Sequence, residues 1–233
     1  MDALRDQRGF TLIELVISLF IGTIVILASF MVLDATGPLA KKAQDRVDAA
    51  QRGRQAMEIV GSELRSQVCL PGGASGPIAP VVAGANGSDL TFYSNLGDET
   101  NPPQRRRLFV QGDALIEQMW QGTYSGSGTT LTVNWPGTIT NQRTLLQPIA
   151  QVGTTPYFGY WGFDANLPAT INTPLNTLPL SATDAAKVVQ VDVSFASRPS
   201  NAKTASDIDS VYQQSIFFRT ADPMDPGKGP KCQ

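Results

Sequence analysis

Histidine is absent from this 233-residue chain. Its absence removes imidazole acid–base chemistry, His-activated nucleophiles and His-ligated metal sites. Carboxylates, guanidiniums and two cysteines remain. A metal would need oxygen ligands alone, and the nearest acidic pairs, Asp207 with Asp209 and Asp222 with Asp225, lack the spacing of a multi-ligand loop. No Gly-x-Ser-x-Gly, P-loop or dinucleotide glycine pattern occurs, and Gly126-Ser127-Gly128 reads as a turn. The expectation is a protein that is not an enzyme, with no catalytic residue, cofactor or metal. Arg105-Arg106-Arg107, after Pro102-Pro103, is a short cationic cluster that could touch DNA phosphates or an acidic partner. A solvated turn is the simpler reading, and a net charge of −2 does not favour nucleic-acid binding. Cys69 and Cys232 are an even pair. In an exported chain they suggest one disulfide, worth roughly 4–5 kcal/mol in the chain-entropy model for so long a loop; the alternative is two unpaired thiols.

One carboxylate is out of place. Phe10 to Leu33 is an apolar run of 24 residues whose single charge is Glu14. As a helix it spans ~36 Å at 1.5 Å per residue, enough for a hydrocarbon core of ~30 Å. The run contains no proline, and in lipid only a helix satisfies its backbone. A secretory signal peptide is a poor fit, because its apolar core is shorter and a small-residue cleavage site follows it. A single-pass anchor fits the length but does not explain a carboxylate one turn into the run, where it costs a few kcal/mol. A core helix of a soluble protein would show an amphipathic stripe, and this run is apolar all round. Before it, Met1 to Gly9 is polar, with Asp2, Arg5, Asp6 and Arg8.

The heptapeptide Arg8-Gly9-Phe10-Thr11-Leu12-Ile13-Glu14 resembles the class III signal of type IV prepilins and type II secretion pseudopilins. The resemblance implies cleavage between Gly9 and Phe10 by a prepilin peptidase, N-methylation of the new Phe10 terminus, and an assembly role for Phe10 and Glu14. Physics agrees with that role. A charged amine and a carboxylate buried in low dielectric are tolerable when paired, and Glu14 of one subunit can pair with the Phe10 amine of its neighbour. The usual leader is net basic, whereas Asp2 and Asp6 here balance Arg5 and Arg8.

After Leu33, Asp34-Ala35-Thr36-Gly37-Pro38 argues for a kink or break. Helical spacing then resumes through Leu39, Ala43, Val47, Ala50, Met57, Val60, Leu64 and Val68, with Glu58, Glu63 and Arg65 among the charges placed on other faces. Cys69-Leu70-Pro71-Gly72-Gly73 ends the helix. Short strands and turns follow: hairpins about Asn86-Gly87 and Gly112-Asp113, strands over Thr129 to Trp135, Val189 to Phe195 and Val211 to Thr220, and a strand or packed loop over the aromatic Tyr157 to Phe163. Asp164 to Thr183 reads as a long loop. The fold class expected is α+β and type IV pilin-like, a long helix on a mainly antiparallel sheet. Its divisions are a leader (1–9), a membrane or filament-core helix (10–33), its amphipathic continuation (34–68) and an exported β-rich head (69–233).

Element order and size resemble the larger minor pilins of the PilW-like kind and the J-type pseudopilins. That resemblance implies a minor subunit that primes a pilus and lies near its tip. The alternatives are a J-type pseudopilin or an uncleaved membrane-anchored exported binding protein. Implied partners are other major and minor pilins, the prepilin peptidase and N-methyltransferase, and an inner-membrane assembly platform. Implied locations are the cytoplasmic membrane, head outside the cytoplasm, and then the extracellular filament.

Overall fold

A computed structural model describes residues 11–95, 101–164, 170–200, 209–224, 230 and 232. The expected leader, Phe10, Asp207 and Asp225 lie outside the described residues. The chain divides into two units, Met1–Asp45 and Arg46–Gln233.

The first element is α1, Leu12–Arg65, a helix of 54 residues. Thr11 caps its start, with Oγ1 accepting from the Glu14 N–H at 3.3 Å. The helix runs unbroken through Gly37 and Pro38, where the sequence argues for a kink or break. Proline there lacks an N–H. The turn just upstream is reinforced by the Thr36 hydroxyl, which donates to Val32 O at 2.9 Å and Leu33 O at 3.3 Å. The helix ends at Arg65, three residues short of the expected Val68. The chain leaves it to line the edge of the first strand: Val68 N–H donates to Tyr93 O at 3.0 Å, and Asn95 N–H to Ser66 O at 2.9 Å.

The strands of the second unit are β1 (Asp89–Ser94), β2 (Gln104–Gln111), β3 (Ala114–Gln121), β4 (Thr123–Ser125), β5 (Thr132–Asn134), β6 (Asn141–Leu146), β7 (Ile149–Ala150), β8 (Phe158–Phe163), β9 (Ile171–Pro174), β10 (Gln190–Ser197) and β11 (Ser210–Phe217). A short helix, α2 (Ala182–Ala185), precedes β10. The order β1-β2-β3-β6 forms one sheet and β11-β10-β8-β9 another, with β7 also on β10, while β4 and β5 pair alone. All these pairings are antiparallel. The expected turn between β2 and β3 is present, and Gly112 takes it at a φ of 62° that side-chain-bearing residues avoid.

Ala56, Met57, Val60 and Leu64 of α1 share one core with Leu90, Phe92, Leu108 and Leu115 of the first sheet and with Phe158, Tyr160, Val191, Phe195 and Ile216 of the second. Each large apolar side chain buried this way contributes about 1.5–3 kcal/mol relative to exposure. The aromatic run is therefore a strand, with Phe158 and Tyr160 in the core and Trp161 and Phe163 half-buried on the other face.

Several expectations need correction. About Asn86-Gly87 the chain does reverse, with Val81 bridged antiparallel to Phe92, Val82 N–H donating to Thr91 O at 2.9 Å and Asn86 N–H closing a turn on Asp89 O at 2.7 Å, but the first arm is too short to form a strand of its own. Residues 128–130 form a 3₁₀ turn, leaving only Thr132–Asn134 extended. The expected loop after Asp164 contains β9 and the start of α2, with residues 165–169 outside the described residues. Strand β6 was not expected at all. The helical stripe also changes: Leu39 and Val47 are exposed, while Gly53 and Glu63 are buried.

Candidate assembly site

The apolar part of α1 is built to do without water. Its large side chains from Leu12 to Leu33 are all more than half exposed. Its hydroxyls are satisfied within the helix: Ser18 Oγ donates to Leu15 O at 2.9 Å, Ser29 Oγ to Val25 O at 2.8 Å, and Thr23 Oγ1 to Leu19 O. None therefore needs an outside partner in a low-dielectric surrounding. The helix is long and apolar enough to cross a membrane. Glu14 stands exposed in its first turn, three residues after the Thr11 cap. Thr11-Leu12-Ile13-Glu14 has the spacing of a capping box, and an acidic side chain is favourable at a helix N-terminus.

Within the second unit, two contacts hold α1 to the strands, and a disulfide follows just beyond the helix. At its last turns lies an ion cluster. Arg106 Nη1 of β2 donates to Glu63 Oε1 at 2.8 Å and also to Glu117 Oε1 of β3. Arg143 of β6 donates from Nη2 to Glu63 Oε1 at 2.8 Å and from Nε to Glu117 Oε2. Burial pushes the Glu63 carboxyl up to about 7, against the pull of Arg106 and Arg143 and helped by the neighbouring Glu117.

The second contact is close approach. A Cβ on Gly53 would lie 2.2 Å from a Tyr212 ring carbon and 2.8 Å from Ser197 Cβ. That proximity lets Ser197 Oγ donate to Ala49 O at 2.7 Å and Tyr212 OH to Ala50 O. Arg52 adds bonds to Gln147 O at 3.1 Å and Arg198 O at 3.3 Å. Just beyond the helix the link is covalent: Cys69 and Cys232 are joined, with Cα atoms 5.3 Å apart across a sequence separation of 163.

The three consecutive arginines do not form one patch. Strand alternation turns Arg106 into the ion cluster, leaving it 6% exposed. Arg105 and Arg107 face the other side. The Arg105 guanidinium lies 4.4 Å from the Trp120 ring centre and 5.9 Å from that of Trp135. Arg107 Nε donates to Asp89 Oδ1 at 2.9 Å. Of the acidic pairs, Asp209 accepts from Arg198 at 3.0 Å and Asp222 from the Met224 N–H at 2.9 Å. Among the described residues no group of three acidic or cysteine side chains is gathered to hold a metal ion.

The helical spacing puts Glu63 on an outer face, and nothing in the sequence singles out Glu117 or Arg143. The only available signal was chemical. A carboxylate between Gly61 and Leu64, on what becomes the packed face, needs a cation opposite it.

Residues 4–30 match the family model of the prokaryotic N-terminal methylation motif. No curated protein is significantly similar to the chain. The match spans Gly9, Phe10 and Glu14 and most of the apolar run. The chain thus carries a prepilin-type signal, followed by an apolar helix and an antiparallel head in an α+β, pilin-like fold. Signal and helix together support a type IV pilin-like or pseudopilin-like protein, anchored in a membrane and then assembled with other pilins after prepilin peptidase processing.

Proposed function

We propose that this chain is a minor type IV pilin, cut between Gly9 and Phe10, methylated on Phe10 and built into a filament near its tip, where it primes assembly. The observation that carries the reading is the prepilin-type signal leading into a helix whose single charge between Phe10 and Leu33 is Glu14. In a bundle of such helices the Glu14 carboxylate of one subunit pairs with the Phe10 amine of the next. The pair fixes axial register and leaves neither charge uncompensated. A chain of 233 residues exceeds the usual major pilin, which supports a minor subunit. Before assembly the head lies outside the cytoplasm. Pseudopilins of type II secretion carry the same signal, and a J-type role is the nearest alternative. Neither role needs chemistry from the head.

The test is deletion and complementation in the native host, with immunoblotting of sheared filaments. Loss of surface filaments in the deletion, restored by the wild-type chain but not by Glu14→Ala, is the expected result. Intact filaments with a defect in exoprotein secretion would assign the pseudopilin role instead.

A further inference from the structure

We infer that the head binds a neutral saccharide in the cleft bounded by Asn95, Asn101, Pro102, Gln104, Gln121 and Gly122. The cleft encloses about 290 Å³. That is the small end of ligand sites, which run roughly 300–1,000 Å³, and suits one sugar unit rather than a long chain. Four of the six lining residues carry carboxamides. A carboxamide offers two N–H donors and two acceptor lone pairs. Gln104 Nε2 donates to Gln121 Oε1 at 3.1 Å, Gln121 Nε2 donates to Pro102 O at 2.8 Å, and Gln104 Oε1 accepts from Arg106. These bonds fix both amide planes and leave each glutamine a second N–H and a second lone pair. Adjacent donors and acceptors with no charge are what vicinal hydroxyls recognise, since each hydroxyl both donates and accepts.

Charge argues the same way. The cation directly behind the cleft, Arg106, is already bound by Glu63 and Glu117, and both carboxylates are bound by Arg143 as well. Arg106 is therefore already committed to two protein carboxyl groups and is a poor anchor for an anionic ligand. Beside the cleft, a Cβ on Gly122 would meet the Trp135 indole at 3.1 Å, and that indole stacks on Tyr93 with ring centres 5.4 Å apart. That stack lies on the Arg105 face of the sheet, outside the lining of the cleft, and serves as a nearby optical reporter.

The full chain, in lauryldimethylamine oxide because maltoside detergents would compete, is titrated with glucose, galactose, N-acetylglucosamine, maltose, lactose and chitobiose. Binding is read by saturation-transfer NMR and tryptophan fluorescence, with triglycine and sodium phosphate as controls. At least one saccharide should bind saturably, and neither control should. Gln121→Ala and the exposed-site variant Asn101→Ala should each weaken binding roughly three- to ten-fold, the effect of losing one or two hydrogen bonds. Unchanged circular dichroism of Asn101→Ala shows that the head still folds. Binding by none of the six saccharides, binding untouched by both substitutions, or binding of triglycine in their place would each overturn the inference. The outcome is independent of whether the chain enters a filament.

Discussion

Glu63 carries the strongest electrostatic consequence at the scale of single residues. Its carboxyl, ordinarily at 4.5, is pushed up to about 7 by burial. The folded state therefore holds a proton that the unfolded chain releases between those values. Stability is fully present below about pH 4.5 and falls as pH rises through about 7. Chemical denaturation of the full chain at pH 5 and pH 8 should show the lower midpoint at pH 8, and Glu63→Gln should flatten that difference. A variant as pH-dependent as the wild type would contradict this. Arg106→Met leaves Glu63 and Glu117 buried with only half-exposed Arg143 between them. Removing one partner of a buried pair typically costs about 3–5 kcal/mol, and the same denaturation measurement checks it. The sequence showed Arg106 only as the middle of a basic triplet. Its burial depends on strand phase and on two acids 43 and 11 residues away, which no local pattern encodes.

At the scale of elements, α1 depends on one missing side chain. Gly53→Ala improves helix propensity by about 1 kcal/mol, yet it drives a methyl into the Tyr212 ring and Ser197. Overpacking of this kind costs about 1–3 kcal/mol, so the variant should be destabilised. Adding Tyr212→Ala should cost less than the two single changes summed, because the pair is in contact; strict additivity would contradict the packing account. What the sequence made legible follows periodicity. The apolar run became helix, and the alternations at Val189 to Phe195 and about Gly112-Asp113 became β10 and the β2–β3 hairpin. Strand β6 escaped because Asn141-Gln142-Arg143-Thr144 is exposed at a sheet edge and shows no alternation. The helix end was overshot because Val68 continues the apolar spacing, whereas Gln67 and Val68 in fact pair with β1. Among candidate site residues, Glu14 stood out as a lone charge in an apolar run. Gln104 and Gln121 did not, because amides in strands carry no signal until pairing sets them side by side.

For the whole molecule, the disulfide and the N-terminal signal serve different ends. Cys69–Cys232 ties the segment just after α1 to the far end of the chain. Cys69→Ser should lower head stability by about 2–5 kcal/mol, measured by denaturation, while leaving N-terminal processing unchanged. The signal and the apolar first part of α1, residues 12–33, should instead determine processing and assembly, with little bearing on head stability. The central claim is that the chain matures as a pilin, and N-terminal peptide mass spectrometry on protein from the native host tests it most directly. A mature chain beginning at Phe10, with a methyl group on its amine, is the predicted result. A chain that retains Met1 to Gly9, or one cut beyond Leu33, would contradict the account.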